Sequence, residues 1–65
     1  MNREFATFLK FVGGRQEAQE LLGVSQGMIS HLVIGRREVS QEIAKIIVDK
    51  YPTISLYYLL YGDAI

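Results

Sequence analysis

The 65-residue chain has no cysteine, no tryptophan, a single proline and no net charge. Without cysteine there is neither a disulfide staple nor a thiolate metal site, and an intracellular home is expected. His31 is the only histidine, which leaves a metal site or a histidine-based triad with almost no support. No apolar run reaches the roughly 20 residues that span a bilayer, and the N-terminus lacks the order of a secretory signal. Paired carboxylates beside a base, a nucleophile motif and a phosphate-cradling loop are all missing. Nothing therefore points to an enzyme, a cofactor or a small-molecule ligand.

What the chain does have is apolar bulk, with 49% of its residues hydrophobic. At this length that implies one domain over residues 1–65, one core and modest stability, with some apolar surface left to meet a partner. The pattern is helical from the start. Phe5, Phe8, Leu9 and Val12 fall on one stripe of a helix expected over Asn2–Val12, and Gly13-Gly14 ends it. A second helix is expected over Arg15–Leu22 and a third over Gln26–Ile34, closed by Gly35. Ser40 caps a fourth, Gln41–Lys50, before Pro52 forbids continuation. Ser55 then caps a short fifth helix through Leu60, stopped by Gly62. From Ile46 to Tyr61 the chain is also rich in strand formers, so a β-hairpin after three helices is the alternative. Against it, Ser40-Gln41-Glu42 is a sound helix start, and Leu56 to Tyr61 show no polar alternation.

The most informative stretch is Gly23-Val24-Ser25-Gln26-Gly27-Met28-Ile29-Ser30. The apolar pattern of Ala18 and Leu22 runs into a glycine suited to a left-handed helix end. Ser25 can then cap a new helix that carries Ile29 and Leu32 inward. Two helices joined by so short a glycine-containing turn form a helix-turn-helix. From Arg15 to Gly35, with Arg36-Arg37 following, the chain resembles phage Cro proteins and the N-terminal domains of phage repressors. The ending Leu59-Leu60-Tyr61-Gly62-Asp63 resembles the close of the last helix in many members. The resemblance implies an all-α, lambda repressor-like fold of five short helices, though some Cro proteins carry the C-terminal hairpin instead. It also implies a repressor that binds a short palindromic DNA operator as a homodimer, in the cytoplasm of a bacterial host at the nucleoid. One departure is Gln19, where the family usually has a small residue because the two helices touch. A glutamine there is expected to lie flat or to push the helices apart.

If the third helix enters the major groove, its first turn meets base edges. Gln26 can pair bidentately with adenine. Gly27 leaves room for close backbone approach, or is simply a weak helix residue. Ser25, at the same helix start, is counted with them among the DNA-contacting residues. Ser30 is a base contact, a phosphate contact or a plain surface serine; His31, one turn beyond Gly27, is a DNA contact or a solvated imidazole. Met28 stays open between a thymine contact and the edge of the core. Arg36 and Arg37 directly follow the helix, where family members touch the backbone, and Gln16 is placed near a phosphate by resemblance alone. Seven basic residues balance seven acidic ones, whereas a DNA-binding domain is expected to be basic, so a local patch must do the work. Val33 and Ile34, too apolar for open water, are expected to pack beneath residues 36–40. At the end of the chain, Leu56, Tyr57, Tyr58, Leu59 and Tyr61 exceed what a short segment can bury, and are expected to form a homodimer interface.

Overall fold

The computed structural model describes residues 1–62. It has five helices: α1 (Arg3–Val12), α2 (Arg15–Leu22), α3 (Gln26–Ile34), α4 (Gln41–Lys50) and α5 (Leu56–Tyr61). Asp63, the end of the Leu-Leu-x-Gly-Asp close, lies outside the described residues. The limits of α2, α3 and α4 are those expected. The first helix starts one residue later than expected because Asn2 caps it rather than joining it, and the last runs one residue further, to Tyr61.

Local chemistry explains the starts. The Asn2 side chain accepts the Phe5 amide, Ser25 that of Met28, Ser40 that of Ile43 and Ser55 that of Tyr58. Each satisfies one of the free N–H groups of a first turn, and each is worth about 1 kcal/mol. Among the described residues there is no strand, so the hairpin alternative fails. The β-forming residues of the C-terminal third are overruled by tertiary contacts. The Glu4 carboxylate on α1 accepts the Ser55 amide at 2.6 Å, fixing where α5 begins. Helical spacing then turns Leu59 fully into the core.

That core takes Phe5 and Phe8 from α1, Ala18 and Leu22 from α2, Ile29 and Leu32 from α3, Ala44 and Ile47 from α4, and Leu59 from α5. Val39 and Ile54 anchor the two longer connections to it. Val24, Leu9 and Val12 pack at its edge. Tyr51 closes one end: its ring stands 6.0 Å from Phe8 and 5.8 Å from Phe11, and its hydroxyl donates to the Phe11 carbonyl at 3.4 Å.

Asn2 is the one buried polar side chain among the described residues, only 8% exposed. Its Oδ1 accepts the Phe5 amide at 3.0 Å, and its Nδ2 donates to the Leu59 carbonyl at 3.0 Å. Its own amide donates to the Val33 carbonyl at 2.9 Å. A single residue thus ties the start of α1 to α5 and to the end of α3. The cap on Phe5 is local chemistry, but nothing in the linear pattern marks the ties to Leu59 and Val33, because those partners lie far along the chain.

Candidate nucleic-acid interface

Two helices and a three-residue turn build the site. Gly23 ends α2 in the left-handed region (φ +69°), and its amide donates to the Gln19 carbonyl at 2.8 Å. Val24 packs against the core, and the Ser25 hydroxyl accepts the Met28 amide at 3.1 Å. Ala18 and Leu22 on one side, Ile29 and Leu32 on the other, lock the two helices through the core. With its inward face fixed, α3 turns the opposite face to solvent.

On that outward face Gln26, Gly27 and His31 are exposed, while Ser30 is half-buried. Ser25 and Gln16 are exposed beside it. Arg36 and Arg37 are exposed just past the helix, their amides both donating to the His31 carbonyl at 3.0 and 3.2 Å. The fold therefore gathers Gln16, Ser25, Gln26, Gly27, His31, Arg36 and Arg37 around one helix-turn-helix, every one of them open to a partner. Met28 is half-buried against the core.

Two expectations need correction. Ile34 does not pack beneath residues 36–40: it is 56% exposed, and Val39 fills the buried position there. At 100° per residue Ile34 lies two turns from Gly27 on the same outward side, so burial was never open to it. Leu59 does not belong to a partner surface, because it is 0% exposed within the chain's own core. Leu56, Tyr57, Tyr58 and Tyr61 remain outside. The Tyr57 ring meets Tyr58 edge-on at 5.5 Å and lies tilted against Tyr61 at 4.9 Å, making a continuous aromatic surface on α5.

Gln19 is half-buried. It lines an open cleft with Arg15, Gln16, Glu20 and Gln26, where α2 and α3 present their first turns together. Arg15, which sequence reasoning passed over, is exposed at the head of α2, and its Nη1 donates to the Ser30 Oγ at 2.9 Å. A basic residue opening a helix beside a glycine pair was visible in the sequence. The serine that receives it, on the next helix, was not.

Nearly all of this architecture falls within residues 15–59, which match the family model described as helix-turn-helix. No curated protein and no solved structure matches the chain. No helix among the described residues is long and apolar enough to cross a membrane.

Proposed function

The chain belongs to the helix-turn-helix family of DNA-binding regulators, and from that premise we propose that it is a Cro-like repressor acting by occupancy of a short palindromic operator. Helix α3 lies in the major groove, Gln26 reads a base edge, and Arg36 and Arg37 grip phosphates. Gln16 and Ser25 approach the backbone, and His31 follows the groove one turn beyond Gly27. Two copies pair through Leu56, Tyr57, Tyr58 and Tyr61, which spaces the two α3 helices about one turn of DNA, ~34 Å, apart. It acts in the cytoplasm of a bacterial host.

One observation carries the reading. Gly27 sits within α3 at an ordinary negative φ, and a Cβ built there meets only the Ser25 Oγ, at 3.9 Å. The fold has no need of a glycine at this position, and glycine weakens a helix relative to alanine. A bare backbone on the outward face of the second helix of a helix-turn-helix is what close approach to a base edge requires. The zero net charge favours a second reading, a module that docks on another protein as antitoxins and anti-repressors do. Selection of bound sites from random duplexes separates the two. The DNA reading expects a palindrome, and expects Gln26→Ala to relax preference at one position in each half-site, at a cost of about 1–3 kcal/mol. Recovery of no preferred sequence supports the protein-docking reading instead.

A further inference from the structure

We propose that Arg15 is a further phosphate-gripping residue and that Ser30 is the positioning residue that aims it. This rests on the DNA-binding reading above. Arg15 is an exposed side chain on the first residue of α2, yet its guanidinium is bridged across to α3 by the 2.9 Å bond to Ser30. That bond uses one of the several donors that a guanidinium carries. The rest of the fork stays available for an anion.

The bridge matters because of where it holds the charge. Arg15 lines the cleft that also contains Gln16, Gln19, Glu20 and Gln26, on the flank of the helix that enters the groove. In helix-turn-helix docking the first helix of the motif crosses the phosphate backbone while the second lies in the groove. A cation held at the head of α2 therefore meets phosphate, not a base edge. A long, unrestrained arginine loses rotamer freedom when it binds; one already tethered has lost part of it beforehand. Ser30 faces outward on the recognition helix, where a reader of bases would be sought. Its hydroxyl oxygen accepts from Arg15, which gives it an orienting role.

The test measures affinity for the selected operator and for an unrelated duplex of equal length, across a series of potassium chloride concentrations. The variants are Arg15→Gln, Ser30→Ala, Ser30→Thr and the Arg15→Gln/Ser30→Ala double. Thermal unfolding of each variant confirms that it remains folded. Arg15→Gln is expected to weaken both duplexes several-fold at low salt and to lower the salt slope by about 0.9, the value of one phosphate contact. Ser30→Ala is expected to reproduce part of that loss in the wild-type background and none of it in the Arg15→Gln background. Ser30→Thr, which keeps the hydroxyl, should restore wild-type behaviour. An unchanged slope in Arg15→Gln overturns the proposal, as does a loss confined to a single operator position, which marks a base contact. A Ser30→Ala effect that persists without Arg15 overturns the positioning role. Failure of the wild-type chain to bind either duplex overturns the DNA reading itself and this proposal with it.

Discussion

Replacing Gly27 by alanine separates what the fold wants from what the partner wants. The added methyl enters open space, its nearest neighbour the Ser25 Oγ at 3.9 Å, an ordinary van der Waals distance. The backbone there is already helical, so no strain opposes the change. Gly-to-Ala replacement at such a site stabilises by about 0.4–1 kcal/mol, chiefly because the unfolded chain loses conformational freedom. For a domain of this size that raises the melting temperature by about 2–8 °C. DNA binding should move the other way. A methyl on the face closest to the base edges displaces the helix, and a tenfold loss of operator affinity corresponds to about 1.4 kcal/mol. Calorimetry or thermal circular dichroism reads the first effect, and fluorescence anisotropy with a labelled operator reads the second. Stabilisation with operator affinity unchanged would refute the claim that Gly27 is bare for the sake of DNA. Destabilisation would refute the claim that the fold does not need the glycine.

Asn2→Ala removes a helix cap and leaves the buried Leu59 carbonyl without its donor. The combined cost is expected to be about 2–4 kcal/mol, read as a lower midpoint in urea with an unchanged slope. Leu59→Ala opens a cavity in the core and is expected to cost about 2–5 kcal/mol, whereas Tyr57→Ser with Tyr58→Ser should leave the melting temperature of the dilute monomer nearly unchanged. The tyrosine pair should instead shift sedimentation towards monomer and weaken full-operator binding more than half-site binding. If the wild-type chain sediments as a monomer at high micromolar concentration, the α5 surface does not pair copies.

The helix limits and the helix-turn-helix corner were legible in the residues because they rest on local chemistry. Serines at 25, 40 and 55 cap the next turn with their own hydroxyls, and Gly23 and Gly35 take the left-handed backbone that ends a helix. The inward stripes of Phe5 and Phe8, Ala18 and Leu22, and Ile29 and Leu32 follow from the helical period alone. The outward face of α3 comes with them, since fixing the buried side of a helix fixes the other. Local patterning left the C-terminal third open between helix and hairpin, because Ile, Val, Thr and Tyr there suit either. Contact with the rest of the chain decided it: the carboxylate of Glu4 meets the Ser55 amide, and the Asn2 amide group meets the Leu59 carbonyl. Tertiary structure also separated Leu59, which the core claims, from the tyrosines beside it, and put Val39 rather than Ile34 beneath the surface. The Arg15–Ser30 bridge belongs to the same class. Helical spacing relates residues three or four apart, whereas these pairings join groups brought together only when separate helices pack around one core.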